Sequence, residues 1–267
     1  MYATIHMLRE YRSAGKPQPQ TSPLPNLGLF GFGNFGKFIT PHFKPHFGRI
    51  YVSDIPSLMT EVEGAGLWWN SPREVIRNSD IIVLAVPFAD MIPLVKDIGR
   101  QIRSGTLVVD VCSVKTLPLA VMKNHLPSGI PILGTHPLFG PQSAKNGLRG
   151  HRIAVCPTKS RSPKVRYLFQ VFDKLGLKVI RVTPEKHDRE MTRQALFHFI
   201  AAGIRGMDLA ESELSIPSFD LFMEALGQVS GDDSIFLTLQ NGNPFAAKVR
   251  KQFMEELKKL EKRLKGE

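Results

Sequence analysis

The sequence is poor in the residues that build disulfide or metal scaffolds. Only two of its 267 residues are cysteine, Cys112 and Cys156, which is too few for a disulfide framework or a four-ligand zinc site. No apolar run approaches the ~20 residues that cross a bilayer. The N-terminus also lacks the apolar core of a secretory signal. We therefore predict a reduced, soluble, cytoplasmic protein without a membrane partner or a metal.

Acidic residues are outnumbered by basic ones, 24 to 35, which gives a net charge of +11. The segment Lys248–Glu267 contains eight of the basic residues and four Glu. Its apolar residues recur every three or four positions, which predicts an amphipathic helix with a solvated charged face. An RNA-binding tail is the alternative, but the segment has no recognisable binding motif. Nucleic acid is therefore a disfavoured partner.

The first 25 residues differ in composition from the rest of the chain. Met1–Pro25 contains four prolines among polar residues, which predicts a flexible leader. The pattern leaves open whether this leader is a targeting segment.

From Asn26 onward, short apolar runs alternate with segments of helical period. Strands are predicted at Leu27–Gly31, Arg49–Ser53, Asp80–Val86, Thr106–Val111, Ile130–Gly134, Arg152–Val155 and Leu177–Val182. Helices are predicted at Phe35–Phe43, Arg73–Asn78, Met91–Arg103 and Pro163–Lys174. This alternation is typical of βαβ units. It predicts an α/β fold with a Rossmann-type, mostly parallel, doubly wound sheet.

The pattern changes after Thr183-Pro184. No strand pattern follows, and long segments of helical period occur, for example Met191–Leu209 and Phe219–Val229. We therefore predict a domain boundary near residue 183, between a Rossmann-type domain over residues 26–183 and an all-helical domain over residues 184–267.

A glycine-rich loop follows the first predicted strand directly, with the sequence Gly31-Phe32-Gly33-Asn34-Phe35-Gly36. A G-x-G-x-x-G pattern alone is a weak signal, but here it lies between a strand and a helix. Asp54 closes the second strand about twenty residues later, where an acidic residue binds the ribose of a dinucleotide. The loop therefore predicts a dinucleotide site, with the pyrophosphate at the helix N-terminus.

The residues around Asp54 favour NAD over NADP. Its carboxylate can accept hydrogen bonds from ribose hydroxyls and would repel a 2′-phosphate, and the next residue is Ile55 rather than an arginine. Val86 ends the third predicted strand and Pro87 follows it, and both are predicted to line the nicotinamide side of the same site.

Two further strand ends carry polar side chains. The motif Asp110–Lys115 (DVCSVK) contains Ser113 and Lys115, and the motif Thr135–Pro141 (THPLFGP) contains His136. Carboxyl ends of parallel strands meet at one edge of a sheet, so we expect these side chains near the glycine loop. Ser113 could instead cap a helix, and Lys115 could face solvent when no anion is bound.

Together these motifs resemble the prephenate and arogenate dehydrogenases. The combination of SVK with HPxFGP is specific, and the stretch Gln142–Gly150 (QSAKNGLRG) is similar to the plant-type arogenate branch. Glu185–Asp188 (EKHD), followed by His198, also resembles the family. The resemblance covers residues 26–267.

The resemblance implies an oxidative decarboxylation, in which a cyclohexadienol gives hydride to NAD⁺ and loses CO₂. His136 and Ser113 would be catalytic, with His136 as the base that takes the hydroxyl proton. Lys115, Gln142, Lys145 and His198 would bind substrate, although His198 between two phenylalanines also fits a core position. The family also implies a homodimer formed through the helical domain.

Two departures from the family leave the substrate open between prephenate and arogenate. Gln142 stands where a glutamate is common, and Gln228 stands where bacterial members carry a carboxylate-binding arginine. Another small NAD(P)-dependent dehydrogenase or imine reductase is an alternative function, as is a non-catalytic nucleotide- or nucleic-acid-binding protein.

Overall fold

The chain is described here from a computed structural model, for residues 24–156, 162–207, 209, 214–227, 229 and 233–266. Most of the predicted leader and Gln228 lie outside these residues. Within them, no helix is both long enough and apolar enough to cross a membrane.

Eight strands form a single sheet. They are β1 (Leu27–Phe30), β2 (Ile50–Ser53), β3 (Trp68–Trp69), β4 (Ile81–Leu84), β5 (Leu107–Asp110), β6 (Ile132–Pro137), β7 (Arg152–Cys156) and β8 (Lys178–Arg181). Their order is β3-β2-β1-β4-β5-β6-β7-β8, and every neighbouring pair is parallel except β6 with β7. The predicted mostly parallel, Rossmann-type sheet is thereby confirmed.

The described residues contain ten α-helices. They are α1 (Asn34–Phe43), α2 (Met59–Gly64), α3 (Pro72–Asn78), α4 (Phe88–Ile98), α5 (Thr116–His125), α6 (Pro163–Lys174), α7 (Pro184–Arg205), α8 (Pro217–Gly227), α9 (Asp233–Asn241) and α10 (Ala246–Lys265). No strand follows β8 in this part of the chain, so the region after the sheet is helical as predicted.

Three of these helices begin with the same local sequence, Ser or Thr followed by Pro. The side chains of Ser71, Ser162 and Thr183 each accept a backbone N–H from the first turn of α3, α6 and α7. Proline at the first helical position has no N–H to leave unpaired and has a helical φ. These short motifs therefore fix where the three helices begin.

The chain divides into two compact units. The first ends at Cys112 and resumes over Pro118–Val182, and the second consists of Ser113–Leu117 with Thr183–Glu267. The sheet lies in the first unit, and β1, β2, β4 and β5 are buried along their whole length. Strands covered on both faces are expected to read as continuous apolar runs, which explains why they could be predicted from sequence.

The sheet reverses its winding direction between β1 and β4. The helix that follows β1 packs through Ile39 and Phe43 into one apolar layer. The helix that follows β4 packs through Met91 and Val95 into the other layer. Because the chain leaves these neighbouring strands toward opposite faces, their carboxyl ends form the topological switch point, which is where doubly wound sheets bind ligands.

Candidate active site

The loop after β1 needs glycine at two of its positions. Gly31 has φ +102°, and a Cβ atom there would lie 2.4 Å from the carbonyl oxygen of Ala85. A Cβ on Gly36 would lie 2.4 Å from the carbonyl oxygen of Gly31. Both contacts are with backbone, which cannot move aside cheaply. These two glycines therefore let β1, β4 and α1 approach closely.

Gly33 differs from them because a Cβ there would meet nothing within 4 Å. It is the exposed N-cap residue of α1, whose first turn has no side-chain cap and no acidic residue. The free N–H groups and the dipole at a helix N-terminus favour an anion. The space at Gly33 is therefore open to the pyrophosphate of a dinucleotide, which backbone N–H groups of α1 would hold.

Asp54 follows β2 directly and is bonded to the glycine loop. Its Oδ2 accepts the Phe32 N–H at 2.5 Å, and its Oδ1 accepts the Ile55 N–H at 2.6 Å. The carboxylate is partly exposed, so it stands beside the loop where a ribose would lie. Arg49, at the other end of β2, stacks on the Trp68 ring at 4.4 Å from its centroid.

The remaining predicted cofactor residues differ in exposure. Asn34 is exposed at the start of α1, whereas the Phe35 side chain is half-buried and packs on the apolar core. Val86 is half-buried after β4, and Pro87 is the exposed N-cap residue of α4. All four therefore lie just after the carboxyl ends of β1 and β4.

His136 lies inside β6, next to its last residue, whereas the predicted strand ends two residues before it, at Gly134. The predicted strand ended at Gly134 because the Pro/Gly-rich motif resembles a turn. Pairing with the antiparallel β7, where His136 is in register with Ala154, extends the strand instead.

The sheet register places His136 at the carboxyl edge. Leu84 aligns with Asp110, and Asp110 with Gly134, so His136 is level with Val86 two strands away. Neighbouring strands are about 4.8 Å apart, which separates these positions by about 10 Å. His136 is 8% exposed, and the edge that carries it also carries Gly31 and Asp54.

The segment after β6 carries two more predicted residues, Gln142 and Lys145. Both side chains are exposed, so each is accessible to a ligand at this edge. Between them, Ala144 is 2% exposed and anchors the segment in the core.

In the second unit, the segment Ser113–Leu117 contains Ser113 and Lys115. Ser113 is half-buried. Lys115 is 0% exposed, so the expectation that it faces solvent without an anion is wrong. Its role in binding substrate stays a prediction.

The segment is held by Asp188, a residue for which the sequence motif predicts no role. Asp188 Oδ1 accepts the Lys115 N–H, and Oδ2 accepts the Thr116 N–H, each at 2.8 Å. His187 Nδ1 lies 2.8 Å from Oδ1. Burial alone would raise the pKa of Asp188, but these hydrogen bonds outweigh it and hold the pKa below its ordinary value.

His198 lies on α7 and is half-buried. Its Nδ1 atom is buried without a hydrogen-bond partner among the described residues. Burial, and secondarily the charge of Arg205, lower the pKa of His198 below its ordinary value. The lowered pKa favours the neutral form of the ring.

Two other expectations concern residues outside this chemistry. Cys112 and Cys156 are both buried. On α10, Lys259 pairs with Glu256 and Lys265 with Glu261, which agrees with the predicted solvated charged face. No cluster of three metal-ligating side chains occurs in the described parts of the chain.

Comparison with known proteins identifies the family. Residues 45–181, just over half of the chain, match the family described as prephenate dehydrogenase, nucleotide-binding domain. A probable arogenate/prephenate dehydrogenase of Methanocaldococcus jannaschii is 28% identical over 74% of this chain and 46% of its own length. The chloroplastic arogenate dehydrogenase 2 of Arabidopsis thaliana is 24% identical over 94% of this chain and 71% of its own length.

The chain thus spans about half the length of the first of these relatives. The fold is also that of a solved structure, prephenate dehydrogenase from Aquifex aeolicus in complex with hydroxyphenyl propionate and NAD⁺. It superposes with a TM-score of 0.69 and 20% identity, covering 93% of this chain and 94% of that one. From its matched nucleotide-binding region, this chain belongs to the prephenate/arogenate dehydrogenase family.

Proposed function

We propose that this protein oxidatively decarboxylates prephenate or arogenate, with NAD⁺ as hydride acceptor. The observation that carries the proposal is the position of His136 on the sheet edge that also bears the open glycine loop and Asp54. The Aquifex relative binds NAD⁺ and a hydroxyphenyl compound, which supports a ring-shaped substrate beside the dinucleotide.

Each proposed residue has a defined task in this reaction. When bound, NAD⁺ supplies the acceptor for the hydride that leaves the ring carbon bearing the hydroxyl. His136 accepts the proton of that hydroxyl as the C–H bond breaks. The ring carboxylate then leaves as CO₂, its bonding electrons complete the aromatic ring, and the proton returns to the ring oxygen. Ser113 is proposed to orient the hydroxyl toward His136.

The anionic substrate needs positive or hydrogen-bonding groups. Lys145 and Gln142 are exposed on the segment after β6 and are proposed to contact its carboxylate and side chain. His198, whose neutral ring has a buried and unpaired nitrogen in the described structure, is proposed as a further hydrogen-bonding group. Lys115 is proposed to contribute charge to the same region.

Asp54 supports NAD as the preferred cofactor. A 2′-phosphate would approach a carboxylate that already holds two backbone N–H groups, and the neighbouring Ile55 offers no charge. Arg49 is stacked on Trp68 at the far end of β2.

Exposed apolar side chains in the second unit support a homodimer. Ile216, just before α8, is 62% exposed, and Leu221, within α8, is 67% exposed. Large apolar side chains that stay exposed in a single chain are candidates for an interaction surface. We propose a second copy of this chain as the partner that covers them.

The test is a steady-state comparison of prephenate and arogenate, each with NAD and NADP, followed by NADH absorbance. We expect turnover of at least one substrate with NAD preferred. The variant H136A should lose about 10²–10⁴-fold in kcat with unchanged NAD affinity, whereas H125A, at an exposed histidine of α5, should match the wild type. Turnover of imines alone, or equal kcat in H136A and wild type, would contradict the proposal.

A further inference from the structure

A buried carboxylate fixes the segment that carries Ser113. Asp188 is 0% exposed, and its two oxygens accept the N–H groups of the consecutive residues Lys115 and Thr116 at 2.8 Å each. Two bonds to adjacent peptide groups fix the orientation of both peptide planes. Ser113 lies only two residues before this pair, so its position depends on the same anchor.

The anchor also supplies a charge that α5 lacks. The first turn of α5, which begins at Thr116, has no acidic residue of its own. A carboxylate at a helix N-terminus satisfies free N–H groups and interacts favourably with the helix dipole. Asp188 provides this interaction from a distant part of the sequence, 72 positions from Thr116.

Asp188 is itself held on several sides. His187 Nδ1 contacts its carboxylate at 2.8 Å, and Asn243 Nδ2 donates to its backbone carbonyl at 2.7 Å. Val114 is fully buried, and a Cβ at Gly242 would lie 3.2 Å from its Cγ2 atom. The segment is therefore seated against α7 and the turn between α9 and α10.

We propose that Asp188 is a positioning residue of the dehydrogenase site, acting through the backbone of Lys115 and Thr116 on Ser113. The inference rests on the proposed function for its effect on turnover. A displacement of about 1 Å at a reacting group can cost about 100-fold in rate. An anchor two residues from Ser113 is close enough to prevent such a displacement.

The first experiment measures kcat, KM and the NAD dissociation constant for D188N. This variant keeps the shape of the side chain, but its NH₂ group would face a backbone N–H donor. We expect kcat to fall on the order of 100-fold, with NAD affinity within about twofold of wild type, since the glycine loop belongs to the other unit. The control E190Q removes a charge from an exposed position on the same helix and should retain wild-type kcat.

A double-mutant cycle separates positioning from a general loss of stability. If Asp188 acts through Ser113, D188N should lower kcat little when Ser113 is already alanine. If the fold loss in kcat of the double variant equals the product of the losses in D188N and S113A, the two residues act independently and the proposal is overturned. A kcat of D188N within about twofold of wild type would also overturn it.

Hydrogen exchange gives a readout independent of the reaction. The amides of Lys115 and Thr116 should be protected in wild type and in E190Q, and should lose protection in D188N. If wild type turns over neither substrate, the proposed function fails, while this exchange result still decides whether Asp188 anchors the segment. Unchanged protection in D188N would refute the anchor.

A second variant covers the case in which D188N does not fold. T116P removes one of the two donors at the first position of α5, where proline is tolerated, and keeps the carboxylate. We expect kcat of T116P to fall as much as that of D188N, with NAD affinity preserved. A T116P kcat equal to that of the wild type would contradict the proposal.

Discussion

Gly31 and Gly33 lie in the same loop but differ in the space that a Cβ atom would have. Gly31 has a left-handed backbone and no room for a Cβ, whereas Gly33 has φ −74° and open space. We therefore expect Gly31 to be required for folding, and we propose that Gly33 is required for ligand binding.

We predict that G31A lowers the free energy of unfolding by about 3 kcal/mol, because it combines backbone strain with a buried clash. G33A should unfold at the wild-type denaturant concentration but bind NAD at least about tenfold more weakly, a loss of about 1.4 kcal/mol. Urea unfolding and a calorimetric titration measure the two effects. Equal destabilisation by both substitutions would contradict this division.

His198 carries a testable electrostatic signature. Its pKa is lowered first by burial and second by the charge of Arg205. We predict an NMR titration midpoint below 6.5, and a rise toward that value in R205Q. The control K186Q, at an exposed position near the start of the same helix, should leave the midpoint unchanged. A midpoint above 6.5 would show that the ring is accessible to water.

At the level of elements, α5 depends on Asp188 for its N-terminal charge. The folded pKa of this carboxyl is held below its ordinary value. Its stabilising effect is therefore complete above the unfolded pKa of about 3.9 and is lost as the pH falls through the folded pKa.

We predict that D188N lowers the free energy of unfolding by about 3 kcal/mol above about pH 5, the worth of hydrogen bonds to a buried charge. The difference between wild type and D188N should shrink as the pH drops below about 4. Urea unfolding at several pH values measures this dependence. A difference that is constant with pH would mean that ionisation of Asp188 is not involved.

The sequence allows most elements to be predicted where the signal is local. The helix Pro163–Lys174 has its predicted bounds, because a capping serine, a proline and an amphipathic period all agree. The edge strand Trp68–Trp69 and helix α5 were absent from the prediction, since a two-residue strand has no periodicity and α5 has only weak amphipathicity.

The candidate site can likewise be predicted from the sequence only in part. The motifs indicate Gly31, Asp54 and His136, because each is a residue type with few alternative roles at a strand end. The role of Asp188 could not be predicted, since it depends on backbone groups more than seventy positions away. The burial of Lys115 likewise depends on packing between distant segments.

At the level of the whole molecule, we predict a homodimer at micromolar concentration. Burial of the exposed apolar residues of α8 would drive association. The variant L221E should be monomeric by sedimentation velocity and still folded by circular dichroism, because Leu221 is already 67% exposed in the single chain. The control R100E, at an exposed position in the sheet-bearing unit, should remain dimeric. A monomeric wild type would contradict the prediction.

The reversed direction of β7 has a consequence for how this molecule could diversify. A parallel crossover from β6 would carry the chain to the far end of the sheet before the next strand. Because β7 runs back against β6, residues 138–151 begin and end at the edge that bears His136. Insertions or exchanges in this one loop could thus reshape ligand selectivity while leaving the hydrogen-bonded scaffold beneath it intact.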